Sequence, residues 1–326
     1  MPDELDHHTR AYGLYLLNWI ALATLAVVIA ISLPIAGFSV ELDRETWGGL
    51  CVSAILVAAG HVLFSQNRSR LAFVVVSIAQ LGLLSMLAAL LTYVAASASL
   101  PLQDAALDRW DRALGLDWAA YYRFMTARTE FLPYALLAYG AIALPPFCVP
   151  LVLGLTGHHV RLQRFTMATL LTLCIVAIMS ALIPAIGTYQ LYDLPTEFAT
   201  YKATGYLIQL ERLPVIRSGG LHVLVVSQIG GIVTFPSFHA AAAVLALWAW
   251  WGVWWMRPWA FLMSAAMLIA TPLLGGHYFV DVFAGVAVAG IAIALASSIE
   301  RRPFAAPDAA RASLPVASTP IVPTGR

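Results

Sequence analysis

Four ionisable side chains sit inside the most apolar runs of the chain: His61, His239, His277 and Asp281. Such a group costs about 2.5–3.5 kcal/mol at the centre of a bilayer on insertion scales, so each needs a reason to be there. Asp281 is the only carboxylate among them. It follows His277 by four residues, which on a helix places both side chains on one face within hydrogen-bonding reach. A carboxylate there fixes the imidazole tautomer and supports the ring when it becomes positive, as a nucleophilic or basic histidine requires. His239 closes the cluster Phe235-Pro236-Ser237-Phe238-His239 at the start of another apolar run. Pro236 suits a first helical turn and Ser237 a cap, and the Ser237 hydroxyl with the free amides beside it favours an anion. A His/His/Asp metal site is the competing chemistry, although no third strong ligand converges in the sequence. A lone membrane histidine usually packs as a hydrogen-bonder, the reading for His61. His7, His8, His158 and His159 lie near loops or the terminus and read as solvated.

The elements that must carry these groups are membrane spans. The chain has 326 residues, 61% hydrophobic and only 11% charged, with a mean hydropathy of +0.82. Soluble domains carry roughly a quarter charged residues, so an ordinary cytosolic enzyme, a disordered protein and a secreted disulfide scaffold are excluded. The net charge of +1 gives no bulk attraction to nucleic acid. Cys51, Cys148 and Cys174 lie in apolar runs with no spacing that suggests a metal knuckle or a disulfide framework.

About eight stretches reach the roughly 20 residues that a span needs: 11–37, 47–64, 71–97, 131–156, 165–186, 236–256, 259–276 and 278–298. The expected fold is an all-α polytopic bundle. The first run follows an acidic segment and exceeds a signal-peptide core, so it reads as a true span. Arg68, Arg70, Arg161, Arg164, Arg257, Arg301 and Arg302 follow alternate spans and fall on one side if both termini are cytoplasmic. The sixth and eighth spans then both begin outside, which brings His239 and His277 to the same depth, extracytoplasmic.

Two outer segments complete the layout. Residues 98–130 place Leu102, Ala106, Trp110, Ala113 and Leu114 at helical spacing, with Asp104, Asp108, Asp111, Arg109 and Arg112 between them. That pattern fits either an interfacial amphipathic helix, with Trp110, Trp118, Tyr121 and Tyr122 in the headgroup layer, or a helix covering the bundle's outer face. Residues 187–235 form a long loop with Lys202, Arg212 and Arg217. The resulting division is 1–97 (N-terminal spans), 98–130 (outer segment), 131–300 (catalytic spans) and 301–326 (a disordered cytoplasmic tail).

Pro236-Ser237-Phe238-His239 and Gly276-His277-Tyr278-Phe279-Val280-Asp281 resemble the second and third signature motifs of the type-2 phosphatidic acid phosphatase superfamily. The form is closer to its inositol phosphorylceramide synthase branch, and Asp111-Arg112-Ala113-Leu114-Gly115-Leu116-Asp117-Trp118 also resembles bacterial members of that branch. The resemblance covers about 100–300. It implies a six-span catalytic core with two further spans at the N-terminus, and metal-independent phosphoryl transfer through a phosphohistidine, with no cofactor. His277 would attack phosphorus, Asp281 would orient it and His239 would protonate the leaving oxygen, making the protein a phosphatase or phosphotransferase. The wider superfamily has an arginine six residues before the nucleophile; here that position is Thr271, as in the synthase branch, which also lacks the arginine. The superfamily's first motif is not recognisable, and 184–189 occupies its place. Transfer still needs positive charge or donors at the phosphate, for which Lys202, Arg217, Ser237, Phe238 and Thr271 are the candidates. The expected substrate is a phospholipid or a polyprenyl- or sphingolipid-type phosphate, and the expected location a bacterial inner (plasma) membrane. A transporter or non-catalytic membrane protein on a degenerate version of the fold is the alternative.

Overall fold

Long runs of Leu, Ala, Ile and Val fold as helices because a bilayer leaves the backbone no other partner for its amides and carbonyls. The computed structural model describes residues 2–194 and 205–299. The N-terminal third forms α1 (Pro2–Ile35), α2 (Arg44–Ser65) and α3 (Ser69–Ser97). Two short helices follow, α4 (Asp104–Ala113) and α5 (Trp118–Thr126), then α6 (Leu132–Gly140), α7 (Pro145–Leu155) and α8 (His159–Leu182). The outer loop holds α9 (Thr188–Leu191) and α10 (Gly205–Arg217). The chain ends with α11 (Phe238–Trp251), α12 (Arg257–Leu274) and α13 (Phe279–Ile299).

Among the described residues six helices are long and apolar enough to cross a membrane, and the architecture is an all-α membrane bundle. Two of the eight expected spans differ from straight rods. The fourth is broken: the segments Thr129–Ala143 and Pro145–Leu155 bend by 61°. Pro145 and Pro146 donate no amide, so the hydrogen-bond ladder is interrupted there and resumes at the Leu144 carbonyl, which accepts the Phe147 and Cys148 amides. The sixth is short: α11 spans 14 residues and gives way beyond Gly252 to a 3₁₀ turn at Trp254–Met256.

The core is built by α3, α8, α11 and α13, with α12 packed on α6 and α11. Buried amides join α1 to this core: Asn18 Nδ2 donates to Gln163 Oε1 (2.9 Å), and Gln163 Nε2 donates to Ser77 Oγ (2.8 Å). At one end Arg161, in the first turn of α8, donates to the Ala249 carbonyl near the end of α11 and lies over the Trp248 ring. The first turn of α11 is therefore at the opposite end, where the outer helices lie. There a two-stranded parallel pair, β1 (Ser39–Glu41) with β2 (Val223–Val225), ties the first outer loop to the long one. The expected disordered tail, 301–326, lies outside the described residues.

Candidate active site

Helix α13 starts later than the His277–Asp281 spacing suggests. Its first residue is Phe279, so His277 stands in the preceding turn, after Gly276 with a φ of +63°. The pairing survives by a different route. Asp281, in the first turn, reaches back: its Oδ2 accepts the Tyr278 amide (2.9 Å) and lies 3.2 Å from His277 Nδ1. This is the reciprocal half of a capping box, with the imidazole added as a second donor. A carboxylate only accepts, so Nδ1 carries the hydrogen and Nε2 keeps its lone pair. His277 is 3% exposed and Asp281 fully buried, with Oδ1 left unpartnered.

The second motif is tied to the third through the backbone. The Ser237 amide donates to the Asp281 carbonyl (3.0 Å), and Gly285 lets the two helices touch, since a Cβ there would lie 2.2 Å from the Ser237 carbonyl oxygen. Ser237 caps α11, its hydroxyl oxygen accepting from the Ala240 amide, and Pro236 precedes the cap rather than occupying the first turn. His239, in the first turn, lies face to face with Tyr139 of α6, with ring centroids 3.8 Å apart and planes 11° from parallel.

Both histidines line one cavity of about 530 Å³. Its remaining wall is mostly apolar, running from Thr92 and Ala88 down α3 to Ile78, along α8 from Val176 to Phe165, and across the break at Pro145 and Pro146. Phe238 lines it; Ser237, Thr271 and Arg217 do not. Thr271 donates into its own helix, to the Met267 carbonyl, and Arg217 reaches the Ser99 carbonyl at 3.5 Å. Lys202 lies outside the described residues. Among the described residues the wall carries no lysine or arginine, and no three of His, Cys, Asp and Glu gather as a metal-donor set. His61 bonds the Val57 carbonyl of its own helix, away from the site.

The outer helices contribute more than their composition suggests. Helix α4 turns its acidic side inward. Asp111 is 1% exposed and accepts the amides of Phe279 and Val280 (both 2.8 Å), capping α13. Asp104 accepts the amides of Ile186 and Gly187 and the Tyr278 hydroxyl (3.0 Å). Trp110 and Leu114 face out, as a headgroup layer favours. Trp118 does not join them. It is 1% exposed and donates to the Pro272 carbonyl, while Tyr121 and Tyr189 donate to the carbonyls of Ile269 and Leu273. The last turn of α12 is thus satisfied by side chains from the outer layer.

With this geometry in place, the comparison with known families is decisive: residues 105–295, more than half of the chain, match the PAP2 superfamily. The chain belongs to the PAP2 superfamily. The matched span runs from α4 nearly to the end of α13 and includes both histidines and the capping acid Asp111. No curated protein and no solved structure matches the chain. Membership of the PAP2 superfamily supports a membrane phosphatase-type function and a phosphorylated lipid-type substrate.

Proposed function

We propose that the chain is a lipid phosphatase or phosphotransferase of the inositol phosphorylceramide synthase-like branch, working through a phosphohistidine at His277. The observation that carries this reading is a single cavity walled by two histidines, one of which holds a buried carboxylate at its Nδ1. In the first step the Nε2 lone pair attacks phosphorus and the bond from phosphorus to the leaving oxygen breaks. A protonated His239 gives that oxygen its proton, and Asp281 supports the positive imidazole. In the second step water or an alcohol gives its proton to His239, its oxygen attacks phosphorus and the P–N bond breaks. His277 and His239 return to their starting states. The apolar wall supports a lipid phosphate, with at least part of its tail inside the bundle and the phosphate at the histidines. Arginines gathered at the opposite end support cytoplasmic termini and an extracytoplasmic site. Of the proposed phosphate-side residues, Phe238 lines the cavity, Ser237, Thr271 and Arg217 stand off its wall, and Lys202 lies outside the described residues. The proposed reaction uses no metal or cofactor.

The test is phosphate release or headgroup exchange by purified protein in lipid. We expect His277→Ala to abolish turnover and EDTA to leave it unchanged. Turnover surviving the substitution removes the phosphohistidine, and loss with EDTA revives a metal site. If the wild-type chain is inert on lipid phosphates yet moves them across a vesicle membrane, the transporter reading replaces this one.

A further inference from the structure

The mechanism asks His239 to hold a proton inside an apolar cavity, where a charged ring is costly. His277 has a carboxylate beside it; among the described residues no carboxylate bonds either ring nitrogen of His239. What meets the ring instead is Tyr139, at 3.8 Å and 11°. Tyr139 is 5% exposed and is held from behind, because Leu132, Ala135 and Tyr139 of α6 pack on Ala270, Leu273 and Leu274 of α12. The ring therefore cannot turn edge-on without disturbing two helices. The other titratable groups on the cavity wall are His277, before α13, and Tyr206 of α10; no charged side chain stands there among the described residues. An aromatic face carries negative electrostatic potential and attracts a cation laid over it, most strongly where water is excluded.

Resting on the phosphatase reading for its catalytic consequence, we propose that Tyr139 is the positioning residue of the acid: its face fixes the His239 imidazole and supports the ring's positive charge. Tyr139 does not touch the reacting atoms. It acts through His239.

The experiment varies the face at constant shape. Tyr139→Phe keeps the ring, and pentafluorophenylalanine at the same position inverts the face potential with little change in outline. ¹⁵N NMR of labelled imidazole in nanodiscs follows the His239 titration directly, without substrate. We expect Tyr139→Phe to titrate like wild type, and the fluorinated ring to move the midpoint to lower pH by about half to one and a half units. In turnover, the fluorinated variant loses about 3- to 30-fold on a lipid alcohol ester and under about 2-fold on a nitrophenyl ester, whose leaving group needs no acid. The alkaline limb of its kcat/KM profile moves to lower pH with the titration. A His239 midpoint that is the same with both rings overturns the proposal. An inert wild type would sink the phosphatase reading, yet the imidazole titration would still decide the role of Tyr139.

Discussion

At the residue scale, the proposed nucleophile is shaped as much by an absent side chain as by the acid it pairs with. Gly275 has an ordinary backbone (φ −91°, ψ −8°), so any residue could adopt its conformation. A Cβ there, however, would lie 2.4 Å from His277 Cδ2 and 2.8 Å from Nε2, the atom that attacks phosphorus in the proposed reaction. Alanine would force the imidazole off Asp281 or block its approach, and displacement of about 1 Å at a reacting group can cost about 10²-fold. We expect Gly275→Ala to lower kcat/KM by about 100-fold with little change in thermal midpoint. Gly285→Ala should do the opposite, losing stability first, because its Cβ meets the Ser237 backbone rather than a side chain that can move. Melting curves beside kinetics separate the two, and equal midpoints with equal losses of turnover would contradict both assignments. His277, Asp281 and His239 are legible in the sequence because charged groups in apolar runs stand out. Gly275 and Tyr139 are not, since each matters only through a neighbour distant in sequence or packed around a turn.

At the element scale, α4 shows how a spacing can be legible while the job of its residues is not. Asp104, Leu107, Asp108 and Asp111 recur at i, i+3, i+4 and i+7, the spacing of one helix face, and residue type alone leaves open whether that face meets the headgroup layer or the bundle. The protein uses that face to cap. Five backbone amides of the loops at the candidate site and of α13 need acceptors, counting those of Ile186, Gly187, Tyr278, Phe279 and Val280. Asp104, Asp111 and Asp281 supply them. In Asp111→Asn one carboxylate oxygen becomes an NH₂ group facing a backbone N–H, leaving a buried donor unpaired at a cost of about 1–3 kcal/mol. We expect a lower thermal midpoint and reduced turnover together, since the start of α13 also holds Asp281 under His277. Asp108→Asn should cost less, because its partner Arg112 is exposed, surface pairs contribute little, and an asparagine oxygen still accepts from its other partner, the Tyr192 hydroxyl. A larger loss from Asp108→Asn than from Asp111→Asn would refute the capping account. The spans themselves are legible because a bilayer demands about 20 apolar residues. The 61° break is also written in the sequence, as Pro145-Pro146, but hydropathy averages over it.

At the scale of the whole molecule, the bundle encloses a slot as well as a site. Thr92 Oγ1 accepts the Ile232 amide at the catalytic end, and Gly82 lines the same cavity ten residues earlier on α3. At 1.5 Å per residue that is about 15 Å further into the bundle. A long chain whose phosphate sits at His277 passes Gly82; a chain of a few carbons ends short of it. Gly82 has nothing within 4 Å of where a Cβ would be, so a large side chain there projects into the slot instead of into the packing. It also removes a helix-interior glycine, which by propensity costs about 0.8–1 kcal/mol relative to alanine. Gly82→Phe should therefore fold at least as well as wild type and discriminate by length. Turnover of a long-chain lipid phosphate should fall by about 10-fold or more, the scale set by lost apolar contact in a filled pocket, while butyl phosphate is unaffected. Kinetics on a series of alkyl phosphates locate the length at which the variant departs from wild type. A uniform loss at every length would place the tail outside the bundle, in the bilayer, with the histidines reached from the outer face alone.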